Sequence, residues 1–178
     1  MQSIQTVSEN TIYVGASDRR LAKFENLFPI PRGVSYNAYV ILDEKTALLD
    51  TADASVGAQF LENVAAALDG RKLDYLIVDH MEPDHAAMIE AVLVRWPDLR
   101  LVVNAKTLPM LKMYFPTDNA AIDDALVVKE GDTLDLGKHK LTFVMAPMVH
   151  WPEVMMTFDT TTGTLFSADA FGTFGALE

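Results

Sequence analysis

The chain contains no cysteine, so thiolate zinc sites, disulfides and iron–sulfur ligation by its own side chains are excluded. Positive charge is scarce: 14 Lys and Arg stand against 25 Asp and Glu, a net charge of −11. Such a surface repels phosphate backbones and argues against a nucleic-acid binder. No apolar run reaches the roughly 18 residues that suggest a membrane-spanning helix. Met1 to Thr11 is polar and mixed and does not read as a signal peptide, so the expectation is a cytoplasmic protein that does not enter a membrane. Histidine is also rare, with four in 178 residues. What the chain has in quantity is core material: half of its residues are hydrophobic and 22% are charged. That excludes disorder and fits one domain, residues 1–178.

Apolar periodicity gives the order of elements. Thr11–Ala16 is β-rich, and Asp18–Pro31 is irregular, broken by Pro29, Pro31 and Gly33. Ser35–Leu42 and Thr46–Asp50 read as a hairpin across Asp43-Glu44-Lys45. Phe60, Val64 and Leu68 recur every fourth residue and mark a helix over Val56–Leu68, ended by Asp69-Gly70. Leu73–Val78 is a buried strand. A second helix starts at Pro83-Asp84 and runs to Trp96. Leu99–Val103 is a strand and Thr107–Tyr114 a helix. Ala125–Val128, Thr133–Leu136, Leu141–Ala146, Val154–Asp159 and Thr164–Ala168 are strands. Helices alternate with strands early and hairpins dominate late, which predicts a layered α/β fold with a mixed sheet.

Two of the four histidines fall within His80-Met81-Glu82-Pro83-Asp84-His85, directly after the buried strand. A lone exposed histidine beside a carboxylate is ordinary surface. Four potential ligands in six residues, on a loop that a rigid strand holds in place, are not. Imidazole with carboxylate suits iron, zinc or manganese rather than calcium. The spacing lets His80 and Glu82 point one way while Asp84 and His85 point another, so two metals are served better than one. His150 and Asp169 also follow strands and would meet the cluster if the strand ends share one edge. Taken singly, His150 reads as half-buried and Asp169 as a turn former. His139, between Lys138 and Lys140, reads as surface. Asp79 reads as an acceptor behind a ligand or as a strand-end cap.

The pattern His80-x-Glu82-x-Asp84-His85 resembles the metal signature of the metallo-β-lactamase superfamily, most of whose members have histidine where this chain has Glu82. The glutamate form resembles the flavodiiron proteins, which reduce oxygen or nitric oxide. Ser35-Tyr36-Asn37-Ala38-Tyr39, Asp50-Thr51, His150-Trp151-Pro152, Met155-Met156-Thr157 and Phe166 to Gly172 extend the likeness over nearly the whole chain. The resemblance implies an αββα sandwich with mixed sheets, C-terminally incomplete, and a non-haem diiron centre. By likeness, His80, Glu82 and His150 hold one iron, Asp84 and His85 the other, and Asp169 bridges them. Trp151 is either near a flavin or simply core.

The resemblance also implies that FMN reaches the irons only through a flavodoxin-like domain on another segment or chain, or that another electron-donor protein serves. A head-to-tail dimer or hetero-complex is then expected. No histidine follows His150, so the family's last ligand is missing. The chain is accordingly read as a fragment, half of a split enzyme, or a degenerate product, and Leu177-Glu178 as native or a vector scar. Alternatives are a dinuclear zinc hydrolase and a non-catalytic interaction module.

Overall fold

The computed structural model describes residues 3–115 and 119–177; Met1, Gln2 and Glu178 of the segments discussed above lie outside them. The chain opens with β1 (Gln5–Ser8), β2 (Thr11–Tyr13) and β3 (Ala16–Asp18), a small ribbon of β4 (Lys23–Phe24) and β5 (Phe28–Pro29), and β6 (Val34–Tyr36). The hairpin β7 (Tyr39–Leu42) and β8 (Thr46–Leu49) leads to α1 (Gly57–Leu68) and β9 (Tyr75–Ile77). Next come α2 (Pro83–Ala86), α3 (Ile89–Arg95), β10 (Arg100–Asn104), α4 (Thr107–Tyr114), α5 (Ala120–Asp123) and β11 (Leu126–Val128). Four strands complete the described chain: β12 (Thr133–Asp135), β13 (Lys140–Met145), β14 (Met155–Asp159) and β15 (Thr164–Phe166).

Seven strands form a mixed sheet in the order β1-β2-β7-β8-β9-β10-β11, and β12 to β15 form an antiparallel sheet in chain order. β8, β9, β10 and β11 run parallel to one another, while β1, β2, β7 and β8 pair antiparallel in that order. Strand alternation divides the core. Val40, Leu48, Leu76, Val78, Leu101 and Val103 face the helices, where Phe60 and Val64 of α1 and Ile89 and Val92 of α3 cover them. Ile41, Ala47, Leu49, Ile77 and Val102 face the other way, onto Leu134, Leu141, Phe143, Met155 and Phe166 of the second sheet. The expected helices over 56–68 and 84–96 therefore share one face of the sheet.

Two local expectations need correction. The runs over 11–16 and 35–42 each split in two, because part of each leaves the large sheet and pairs as β3 with β6. The strands expected over 125–128 and 133–136 go to different sheets: β11 ends the first and β12 begins the second. The helix expected over 84–96 breaks after Ala86. There the His85 carbonyl accepts both the Thr51 amide (2.8 Å) and the Thr51 hydroxyl (2.6 Å), which draws that turn towards the end of β8.

His139 is not a surface residue. It is 1% exposed, its Nδ1 lies 2.8 Å from Asp159 Oδ2, and its amide donates to Asp43 Oδ2 at 2.6 Å. Burial works to raise the Asp159 carboxyl. The Thr162 hydroxyl, His139 and the Thr161 amide outweigh it and hold that group below the usual range. A carboxyl lowered by folding adds stability above its unfolded value and loses it as pH falls through the folded one. Asp159→Asn is therefore expected to flatten the acid limb of urea-unfolding stability as pH falls through and below the usual carboxylate range. An acid limb that matches the unsubstituted protein would contradict this.

Candidate metal centre

Both sheets deliver side chains to the same end of the sandwich. The chain leaves β9 and presents His80, Glu82, Asp84 and His85 across the loop and into α2. It leaves β13 and reaches His150, and leaves β15 and reaches Asp169. The candidates thus come from two sheets that meet at one edge, not from a single sheet. Sharp backbone turns accompany the arrangement: Asp50, Met148 and Ala168 have φ of 55°, 66° and 48°. Left-handed backbone at non-glycine residues costs on the order of 1 kcal/mol or more and gathers at functional sites.

One atom from each of His80, Glu82, His150 and Asp169 lies within 4.8 Å of the others, and the same holds for Asp84, His85 and Asp169. His80 Nε2 is 3.1 Å from Glu82 Oε2 and 3.3 Å from Asp169 Oδ2. His150 Nε2 is 2.8 Å from Glu82 Oε2 and 3.2 Å from Asp169 Oδ2. His85 Nε2 is 2.8 Å from Asp169 Oδ1 and 3.7 Å from Asp84 Oδ2. Asp169 belongs to both groups and turns a different oxygen to each. All six residues singled out in the sequence therefore converge, in groups of four and three that share one carboxylate.

The far nitrogens of the two buried histidines are held as well. His80 Nδ1 lies 2.8 Å from Glu153 Oε1, which also accepts the Met81 amide at 3.0 Å. His85 Nδ1 lies 3.0 Å from Asp50 Oδ2. A carboxylate on Nδ1 fixes the ring and leaves Nε2 for the centre, the usual support of a metal-bound imidazole. Asp50 and Glu153 support the donors, and the sequence reading gave neither a role: Asp50 entered only within the Asp50-Thr51 likeness, and Glu153 carries no signal beyond its place near His150. Asp79 touches neither ring. It accepts the Thr157 hydroxyl at 2.8 Å, and its amide donates to Asp50 Oδ1 at 2.7 Å, so it ties the two sheets together behind Asp50. Trp151 stands edge-on to His80, with centroids 5.3 Å apart at 90°.

Glu153→Ala leaves the His80 ring and the Met81 amide without their acceptor in a buried place. It is expected to cost about 10- to 100-fold in metal affinity and about 1–3 kcal/mol in stability. Metal titration and urea unfolding measure the two effects, and unchanged affinity would remove Glu153 from the site.

The electrostatics describe a cluster that needs cations. Burial lowers the His80 ring, but Asp169, Glu82 and Glu153 outweigh it and push it up to about 10. His85 is likewise raised well above its ordinary value by Asp169 and Asp50 against its burial. Partial desolvation would raise Asp169, yet His80 and His85 bring it well below the carboxylate range. Burial pushes Asp84 up to about 6. Asp84 Oδ1 is buried with no hydrogen-bond partner among the described residues. Imidazolium protons here do what a metal would do, and metal binding must release them. The convergent nitrogens, the carboxylates and the unpartnered Asp84 oxygen fit first-row transition metals.

A mixed α/β two-sheet sandwich with paired donors at one end defines a metallo-β-lactamase-like protein. The family described as ODP family beta lactamase matches residues 34–178, and the chain belongs to it. It is 38% identical over 170 residues to an anaerobic nitric oxide reductase flavorubredoxin of Klebsiella pneumoniae, covering 93% of this chain and 34% of that protein. Rubredoxin oxygen:oxidoreductase from Desulfovibrio gigas superposes with a TM-score of 0.92 at 31% identity, over 99% of this chain and 43% of that one. The flavodiiron protein from Giardia intestinalis gives a TM-score of 0.90 at 27% identity, over 100% and 42%. The chain spans only about a third of the length of the curated relatives it matches. Among its described residues, no helix is long and apolar enough to cross a membrane.

Proposed function

We propose that residues 1–178 form the diiron domain of an oxygen- or nitric-oxide-reducing system. The observation that carries this reading is Asp169, whose two oxygens face two separate donor groups. His80, Glu82 and His150 would hold one iron, Asp84 and His85 the other, with Asp169 shared. Bound there, two ferrous ions would supply two electrons to a substrate lying between them.

The chain's own groups prepare that chemistry. Glu153 and Asp50 lock the His80 and His85 rings with Nε2 towards the centre. Glu82, 4% exposed, adds negative charge where most superfamily members have a neutral imidazole, which favours ferric iron. A 430 Å³ cleft lined by Phe24, Phe28, Tyr36 and Phe174 opens over His150 and Asp169, wide enough for small gases.

The flavin belongs to a further domain or chain, and the exposed His150 beside Trp151 is the side from which it would approach. A dimer or hetero-complex follows from that division of labour, and a reducing cytoplasm suits it. The zinc-hydrolase and interaction-module readings find no support in the relatives named above.

Single turnover tests the proposal without an electron donor. The chain is loaded anaerobically with ferrous iron and given nitric oxide. Two nitric oxide molecules, two electrons and two protons yield one nitrous oxide and one water. Nitrous oxide approaching one per two irons supports the reading. None from the iron-loaded chain, as from a zinc-loaded control, would refute nitric oxide reduction, and oxygen is tested in the same way by its loss.

A further inference from the structure

The ribbon of β4 and β5 turns at Glu25 and Asn26, whose φ values are 49° and 57°. Positive φ favours glycine, asparagine and aspartate, so glutamate is an unfavourable choice at the first of these two positions. Glu25 is solvent-exposed and lines the same clefts as Glu82, which is almost completely buried. The tip of the ribbon thus links bulk water to the donor cluster.

Its surroundings are specific. Two clefts, of 540 and 430 Å³, both count Glu25, Glu82 and Asp84 among their walls, so Glu25 stands at the mouth of each. The first cleft adds the carboxylates of Asp18 and Asp53 and the cations of Lys23 and of Arg20, which pairs with Asp18, so carboxylates outnumber cations on its walls. Asp84, whose Oδ1 is buried and unpartnered among the described residues, lines both clefts. The ribbon is also anchored: Phe174 packs on Phe24 and Phe28 with centroids 5.1 and 6.2 Å away, and the Ala176 amide donates to the Arg32 carbonyl. Glu25 is held over the entrance by packing.

We propose that Glu25 is a capture residue for divalent cations entering the His80–Asp169 centre, on the reading that this centre binds metal. A fixed carboxylate at the rim of an acidic cleft concentrates cations and speeds their arrival. It hands them to Glu82 without belonging to either donor group. A rim charge of this kind acts on the association rate and leaves dissociation largely alone.

Cobalt(II) is the probe, because its visible absorption reports uptake without turnover. Stopped-flow loading of the metal-free chain is compared with Glu25→Gln and Glu25→Asn; asparagine suits the turn and guards against a folding defect. Glu62→Gln, an exposed position on α1 away from the centre, controls for net charge. Both Glu25 variants are expected to load about three- to tenfold more slowly. Their final spectrum and their release rate into a chelator should match the unsubstituted chain, and Glu62→Gln should load normally. Normal loading by the Glu25 variants would overturn the proposal. A changed spectrum with faster release would also overturn it, by making Glu25 a resident ligand. If the unsubstituted chain takes up no cobalt, the metal-centre reading itself fails.

Discussion

Asp169→Asn is expected to weaken metal binding by on the order of 100-fold at the tighter site and to abolish it at the weaker one. The reasoning is geometric. Asp169 Oδ2 serves His80 and His150, and Asp169 Oδ1 serves His85. No other carboxylate among the described residues belongs to both groups. Removing its charge leaves one group with two imidazoles and Glu82, and the other with only His85 and Asp84. The Asp169 side chain is 37% exposed, so the fold should survive, with unchanged circular dichroism. Calorimetric titration reads the affinities. Two full-strength binding steps in the variant would show that Asp169 is not the shared ligand. In the unsubstituted chain the same titration should give a tight step followed by a weaker one, since four donors form one group and three the other.

The second large effect concerns electrons. Reducing dioxygen to water takes four, and two ferrous ions hold two, so multiple turnover needs an outside donor. The described clefts around the centre are acidic and aromatic, and the chain has no cysteine for a rubredoxin-like centre. We expect the iron-loaded chain with a small-molecule reductant to consume oxygen slowly. A separately supplied flavodoxin-like domain should raise the steady rate by about tenfold or more, the gain of holding donor and acceptor in one complex. An oxygen electrode measures both. Rapid multiple turnover without any flavoprotein would show that small reductants feed the irons directly. No gain with the added domain would favour a fragment or a degenerate product over half of a split enzyme.

Much of the site was legible because its chemistry is local. His80 to His85 are near neighbours in sequence, and their residue types need no fold to be noticed. His150 and Asp169 were found by their places after strands, a rule that survives although the strands belong to two sheets. The supports were hidden by distance. Glu153 reaches His80 across 73 residues and Asp50 reaches His85 across 35, and a carboxylate beside a turn carries no mark of such a partner. His139 was misread for a related reason. Its lysine neighbours are exposed, but Asp159, 20 residues on, satisfies the ring and permits its burial. The break between α2 and α3 was invisible too, because the Thr51 hydroxyl that bonds the His85 carbonyl there comes from the loop after β8, 34 residues back.

The central claim is that one chain holds two irons close enough to share Asp169. Iron-57 Mössbauer and EPR spectra of the anaerobically loaded, then oxidised, chain test it most directly. The account predicts about two irons per chain as a spin-coupled diferric pair, EPR-silent, with a coupled half-reduced signal on partial reduction and loss of coupling in Asp169→Asn. Isolated high-spin ferric signals, or a single iron whose spectrum is indifferent to Asp169, would contradict it.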